Sequence, residues 1–286
     1  MPEREDGEQQ HEDGKPRRED REQEHEDGEP RGLAGRVCVL AGGTGGIGSV
    51  LARELHAECV PLVLGYRRDR VRAEARAMEL RGSPGAAIAL VEGDLAEEET
   101  RRALLAAARS LGVPYGLVVL AGDPARPAGA APTQAEMEAS VRDNYLGPIL
   151  LARAFAAGLV AAGTPGAIVL LSTMQGVDLF EGSLCYAGPK AALVHAGRLM
   201  AKELGGASDV RVNVVAPGVT AAGMAAASIR RGKYDRFVAG GAIRRFGRAE
   251  DVSRAIRFFL EPDSYVTGQV LTVDGGLTLR RDVLAS

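Results

Sequence analysis

From Gly32 onward, short apolar runs alternate with longer Ala-rich stretches whose apolar positions recur every three or four residues. Short apolar runs bounded by Gly, Pro or charge read as buried strands, and the 3.6-periodic stretches as helices. The strand series is Val37-Cys38-Val39-Leu40, Val60-Pro61-Leu62-Val63-Leu64, Ile88-Ala89-Leu90-Val91, Leu117 through Gly122, Ala167 through Leu171, Val210 through Val215, and Gln269 through Val273. Helices are expected over Ser49 to Leu55 and Asp69 to Arg81. Another starts at the capping box Thr133-Gln134-Ala135-Glu136 and runs through Asn144 to about Ala162; a fourth runs from Tyr186 to about Leu204. Strands and helices alternating over the whole length predict one doubly wound α/β domain, a seven-stranded parallel sheet with helices on both faces.

The first 31 residues break this pattern. They repeat a 14-residue unit, Arg4-Glu5-Asp6 through His11-Glu12-Asp13-Gly14 to Pro16-Arg17, then Arg18-Glu19-Asp20 through His25-Glu26-Asp27-Gly28 to Pro30-Arg31. With scarcely an aliphatic residue to bury, nothing offsets the entropy of ordering them, so residues 1–31 are expected to be a disordered charged tail and 32–286 the folded domain. The overall net charge of -3 conceals the division: the tail holds 6 basic and 13 acidic residues, a net of -7, which leaves 29 and 25, a net of +4, for the rest. A weakly basic domain whose arginines alternate with acids gives little support to nucleic-acid binding.

The 286 residues are 45% hydrophobic, but the start of the chain has no apolar core resembling a secretory signal and no segment reads as transmembrane. Cys38, Cys59 and Cys185 are odd in number and unclustered, giving neither a disulfide framework nor a metal-ligand spacing. A cytoplasmic protein without membrane or metal is expected.

Candidate chemistry begins at the first strand. It runs straight into Ala41-Gly42-Gly43-Thr44-Gly45-Gly46-Ile47-Gly48 and then a helix. Strand, glycine turn and helix together form the dinucleotide fingerprint of a Rossmann domain, because glycines let backbone N–H groups and the helix N-terminus approach a pyrophosphate. The second strand ends in Gly65-Tyr66-Arg67-Arg68. NAD sites place an acid here for the ribose hydroxyls and NADP sites an arginine near the 2′-phosphate, so NADPH is expected in preference to NADH, with Arg67 the better anchor and Arg68 close behind. Asp94, in Glu92-Gly93-Asp94-Leu95 after the third strand, could face the adenine.

Tyr186 and Lys190 lie four residues apart in an expected helix, one turn apart on one face. A fixed ammonium beside a phenol favours phenolate, which would bring the tyrosine toward the range where it trades a proton usefully. The same spacing also describes ordinary surface neighbours.

Taken together these motifs resemble the short-chain dehydrogenase/reductase family over about residues 33–279. The likeness rests on Gly42, Gly46 and Gly48, Asp94-Leu95, Asn144, a hydroxyl residue after the fifth strand, Tyr186-x-x-x-Lys190, Asn213 followed by Pro217-Gly218, and Thr267-Gly268-Gln269 through Asp274-Gly275-Gly276, in that order. The resemblance implies a role for each. Gly42, Thr44, Gly45, Gly46, Ile47 and Gly48 would hold the coenzyme's pyrophosphate, with Asp94, Leu95, Ala121 and Gly122 along its path and Pro217, Gly218 and Val219 against the nicotinamide. Tyr186 would give its proton to a substrate carbonyl oxygen, Lys190 would lower the tyrosine's pKa and bind the nicotinamide ribose, and Asn144 would hold a water that links Lys190 to bulk. Thr173, or one step earlier Ser172, would hydrogen-bond the carbonyl oxygen, Thr173 having the spacing to Tyr186 at which the family has serine.

The chain also departs from the family. Val119-Leu120 replace two asparagines before Ala121-Gly122, Ala41 replaces the threonine at the head of the glycine turn, and Ala222 the threonine after Pro217-Gly218. Residues 221–242, the segment that closes over substrate in the family, are Ala-rich and then basic, Arg230-Arg231-Gly232-Lys233. A small-residue lid with a basic outer part suits an apolar substrate on an anionic carrier, and the pattern looks most like the 3-oxoacyl carrier-protein reductases. Against this, Ala167 and Ser208 stand where those reductases tend to have arginines. The alternatives are a dehydrogenase of a free alcohol, ketone, sugar or steroid, and a catalytically weak cofactor-binding regulatory protein. The expected partners are a carbonyl substrate, free or on acyl carrier protein, and further copies of the chain in a homotetramer or homodimer.

Overall fold

The computed structural model describes residues 32–125, 131–206 and 208–280; the repeated tail of residues 1–31 lies outside them. Seven strands, β1 (Val37–Ala41), β2 (Leu62–Tyr66), β3 (Ile88–Glu92), β4 (Pro114–Val119), β5 (Gly166–Leu171), β6 (Val210–Pro217) and β7 (Val270–Val273), form one sheet in the order β3-β2-β1-β4-β5-β6-β7. Every neighbouring pair is parallel. All seven expected strands are present, shifted by a few residues at their ends; the second begins after Pro61 rather than before it, since a proline lacks the N–H that a ladder needs.

Alternate strand residues feed two cores. Cys38, Leu40, Leu62, Leu64, Val118, Val169 and Val215 meet α1 (Gly46–Ala57), α2 (Arg70–Arg81) and α9 (Ala249–Leu260) through Leu51, Leu55, Ala77, Leu80, Ile256 and Phe259. On the other face Val37, Val39, Leu117, Val119, Ile168, Leu170 and Val214 meet α3 (Glu98–Leu111), α5 (Gly147–Ala162) and α6 (Leu184–Leu204) through Leu104, Ala108, Leu151, Phe155, Leu159, Leu193 and Met200. Burial on both faces explains why the inner strands β2, β1, β4, β5 and β6 read as continuous apolar runs. The winding direction reverses between β1 and β4, so their carboxyl ends diverge and open a crevice at the switch point.

The helix expected from Thr133 to Ala162 begins as the sequence implies. Thr133 and Glu136 close a capping box at α4 (Gln134–Val141). It is interrupted, however, by a π-turn over Arg142–Leu146 before α5 resumes. The whole run Gln134–Ala162 is long and apolar enough to cross a bilayer by length and composition alone, contrary to the expectation that no segment would be. In the fold its inner face packs in the second core, and Met137, Val141, Leu146 and Leu150 remain outward and exposed.

Residues 221–242 form α7 (Gly223–Arg230) and α8 (Asp235–Ala239). A third apolar cluster of Met174, Val219, Phe237, Ala242, Ile243 and Leu277 seats this segment beside the ends of β5 and β6. The bridge between Thr220 and Gly247 closes it at its base.

Candidate active site

A cleft of about 970 Å3 opens along the carboxyl ends of the strands. Its floor is the glycine turn. Gly42 has φ +93°, a conformation that favours glycine, and a Cβ there would stand 2.9 Å from the Ala121 backbone nitrogen. A Cβ on Gly46 would lie 2.3 Å from the Gly223 nitrogen, and one on Gly48 2.4 Å from the Gly42 oxygen. Helix α1 has no side-chain cap at Gly45, so its first-turn N–H groups face the cleft without a protein side chain to satisfy them. The backbone therefore fits an anionic pyrophosphate.

Gly42, Thr44, Gly45, Gly46, Ile47, Gly48, Arg67, Arg68, Asp94, Leu95, Ala121, Gly122, Ser172, Thr173, Tyr186, Pro217, Gly218 and Val219 all line this cleft. Lys190 and Asn144 stand behind the wall, fully buried. Both face Gly122: a Cβ there would be 2.9 Å from Asn144 Oδ1 and 3.2 Å from Lys190 Nζ. Gly122 is thus the thin partition between the cleft and two buried polar groups.

The Tyr186–Lys190 pair differs from the expectation in its electrostatics. The ammonium of Lys190 donates to the Leu171 carbonyl at 2.8 Å, at the end of β5. Burial drives its pKa down from 10.5 to about 8. Burial pushes the phenol of half-buried Tyr186 up to about 12, and the negative charge of Asp123 pushes the same way. The expected lowering of the tyrosine by Lys190 does not occur, because desolvation outweighs any help from a cation that itself holds its proton weakly. The result is a phenol firmly protonated at neutral pH, which is the state an acid needs.

The two candidate hydroxyls are separated by their surroundings. Ser172 is 4% exposed and its Oγ donates to the Lys190 carbonyl at 3.0 Å, stapling β5 to α6. Thr173 is half-buried on the cleft wall, and among the described residues its Oγ1 does no more than accept from the Gln175 N–H at 3.4 Å. Of the two, Thr173 holds its hydroxyl proton free for something in the cleft.

Asn144 sits within the π-turn. Its Oδ1 accepts the Asp123 N–H at 3.0 Å and its Nδ2 donates to Ser140 Oγ at 3.1 Å, which in turn donates to the Cys185 carbonyl at 2.6 Å. A π-turn lets the amide leave the regular helical ladder and point at the end of β4.

Arg67 brings in two carboxylates that the motifs do not single out. It pairs with Asp143 at 2.7 Å, and with Asp94 at 3.5 Å and Asp123 at 3.6 Å. Burial pulls its pKa down, but the hydrogen bond it donates to Asp143 and the three negative charges outweigh this and leave it raised. Asp123 directly follows Gly122 and Asp143 directly precedes Asn144, so adjacency to motif residues was the available signal. Where the family has asparagines, packing takes over: Leu120 contacts the first core, and the N–H groups of Leu120 and Ala121 both reach the Ala41 carbonyl at 2.9 Å.

The family model described as Enoyl-(Acyl carrier protein) reductase matches residues 41–278. The chain belongs to the short-chain dehydrogenase/reductase family. It is similar to a protein named carbonyl reductase family member 4 from Danio rerio, 32% identical over 245 residues, covering 85% of this chain and 98% of the relative. It is also 32% identical over 249 residues to a 3-oxoacyl-[acyl-carrier-protein] reductase from Rattus norvegicus, with the same coverage. Among solved structures, a short-chain dehydrogenase/reductase from Mycobacterium ulcerans superposes with TM-score 0.80 at 27% identity, covering 89% of this chain and 98% of that one. Levodione reductase does so with TM-score 0.80 at 25% identity over 86% and 99%. As a short-chain dehydrogenase/reductase the protein is an oxidoreductase that binds a nicotinamide coenzyme.

Proposed function

We propose that this reductase uses NADPH to reduce a ketone to a secondary alcohol, and that its substrate is a 3-oxoacyl thioester carried by acyl carrier protein or coenzyme A. The observation that carries the reading is the convergence of a protonated Tyr186, a free Thr173 hydroxyl and the glycine cradle on one cleft. When bound, the coenzyme supplies a hydride. The protein's own groups do the rest. Tyr186 gives its proton to the carbonyl oxygen as negative charge develops there, and Thr173 donates a hydrogen bond to the same oxygen, work of the kind general acids and fixed donors perform. Lys190, held by the Leu171 carbonyl, sets its ammonium against Gly122 at the cleft wall, so that positive charge adjoins the space in which the reaction's negative charge develops.

A thioester substrate is supported by the relative named 3-oxoacyl-[acyl-carrier-protein] reductase and by the lid. Lys233 and Tyr234 line the cleft while Arg230, Arg231 and Arg236 are exposed beside them in sequence, a cationic rim suited to phosphate or an acidic carrier. One finding favours a free ketone instead: Arg211, near the start of β6, is buried and fully used by the carbonyls of Phe259, Val266 and Glu261 and by the Tyr115 hydroxyl. Being buried, it presents no exposed charge to a carrier, and a similar protein is named a carbonyl reductase.

The test is the oxidation of NADPH and NADH against acetoacetyl-CoA, a 3-oxoacyl carrier-protein substrate, quinones and simple ketones. Preference for NADPH with a thioester is expected; turnover confined to free ketones would replace the substrate, and preference for NADH the coenzyme.

Assembly is part of the same proposal. Exposed Met137 and Val141 of α4 and Leu184 of α6 border an apolar hollow of about 380 Å3 with Tyr145, Cys185 and Pro189. We assign this face to a second copy of the chain, in a homodimer or homotetramer, the free cysteines fitting a reducing cytoplasm.

A further inference from the structure

We infer that the two arginines after β2 divide their work: Arg68 holds the coenzyme's 2′-phosphate, whereas Arg67 is a positioning residue that ties down the turn carrying Asn144. The first half rests on the NADPH reading above; the second does not.

Arg67 is the arginine that sequence alone prefers as phosphate anchor, but its guanidinium is already committed. One nitrogen meets Asp143 at 2.7 Å and Asp94 at 3.5 Å, and another meets Asp123 at 3.6 Å. Even with Arg142 also on Asp143, two cations among three carboxylates leave a local excess of negative charge, which opposes a phosphate dianion. Asp143 is also held from its other oxygen by Arg142 at 3.2 Å and has a side chain only 10% exposed, so it cannot readily swing away to release Arg67. Arg68 differs on each count. It lines the same cleft, is exposed, and has no ion pair or hydrogen bond among the described residues. Arg72, one helical turn on, lines the cleft with it.

The carboxylates bound by Arg67 belong to three different places: the loop after β3, the loop after β4, and the π-turn. Two of them adjoin the catalytic apparatus directly. Asp143 precedes Asn144 in the turn, and the Asp123 backbone donates to Asn144 Oδ1. Asp123 also carries the charge that bears on Tyr186. Arg67 therefore links the loops after β2 and β3 to the groups behind the acid. A π-turn gives up regular helical bonding, and an outside tie of this kind compensates for what it lacks.

Calorimetric titration of the full-length protein with 2′,5′-ADP and with 5′-ADP tests the anchor. Wild type is expected to favour 2′,5′-ADP by at least about tenfold, Arg68→Met to bring the two ligands within about twofold of each other, and Arg67→Met to keep the preference. Loss of the preference in Arg67→Met with retention in Arg68→Met would overturn the division while leaving NADPH in place. Equal binding of the two ligands by wild type would overturn the coenzyme reading and the Arg68 assignment together. Since Arg68 is exposed and, among the described residues, unpaired, its variant should fold like wild type and decide the question even if Arg67→Met does not fold.

Steady-state kinetics test the tie, with NADPH, or NADH if that is preferred, and the best carbonyl of the panel above. Arg67→Met and the nearly isosteric Asp143→Asn should each lower kcat about tenfold with the coenzyme KM within about twofold of wild type. An Asp143→Asn enzyme with undiminished kcat would overturn the positioning role.

Discussion

At the scale of single residues, neighbours decide which of two similar side chains does chemistry. Ser172 and Thr173 cannot be told apart by type, since each brings one hydroxyl; the difference is that Ser172 spends its proton on the Lys190 carbonyl. Ser172→Ala is expected to lower stability by about 1 kcal/mol and leave turnover within a few-fold of wild type, whereas Thr173→Ala should lower kcat by about tenfold or more. Denaturant melts and steady-state rates of the two variants check this; an inactive Ser172→Ala with a fully active Thr173→Ala would reverse the assignment. Lys190 makes a second prediction. Its folded pKa, about 8, lies below its ordinary 10.5, so the folded protein binds fewer protons than the unfolded chain between those values. Stability contributed by this group therefore rises with pH from about 8 to 10.5, and below pH 8 the charged lysine carries its full burial cost. Lys190→Met removes that cost but leaves the Leu171 carbonyl unpaired; melting at pH 7 is expected to show a net gain of about 2 kcal/mol alongside lost turnover. In wild type, turnover should fall as the pH rises through about 8, where the cation behind Tyr186 is neutralised.

At the scale of elements, the sequence shows local pattern well and interruptions of pattern badly. The strands are legible because both sheet faces are buried, and the start of α4 because Thr133 and Glu136 satisfy each other's backbone. The π-turn at Arg142–Leu146 is not, since one extra residue in a helix leaves the apolar periodicity nearly unchanged. Nor are the partners of Arg67 legible, because they come together only when three loops converge at the sheet edge. The lowered tyrosine expected from the i, i+4 spacing fails for a related reason: spacing gives proximity, but burial sets the sign of the shift. The glycine turn does carry its message in sequence, and its strictest member is testable. Gly46→Ala would force a Cβ against the Gly223 backbone, where neither chain can yield cheaply. It should cost about 2 kcal/mol or more of stability and weaken 5′-ADP binding, as read by melting and calorimetry; a wild-type melting temperature would show that α7 moves aside freely.

At the scale of the whole molecule, the fold places its acid where an open α/β sheet makes a crevice, and the variable parts surround that point. The lid brings Lys233 and Tyr234 to the cleft mouth, and α4 and α6 turn an apolar face outward. Met137→Glu and Leu184→Glu, both at exposed positions, should shift the protein toward monomer in light scattering without unfolding it, because charge on that face opposes its burial against a second copy; an unchanged assembly would move the interface elsewhere. The central claim concerns Tyr186, and the most direct test compares wild type with Tyr186→Phe in NADPH oxidation driven by acetoacetyl-CoA. Removing a single oxygen atom should lower kcat by at least about a hundredfold, with 5′-ADP bound as tightly as before. A phenylalanine variant that turns over at the wild-type rate would contradict the assignment of Tyr186 as the acid.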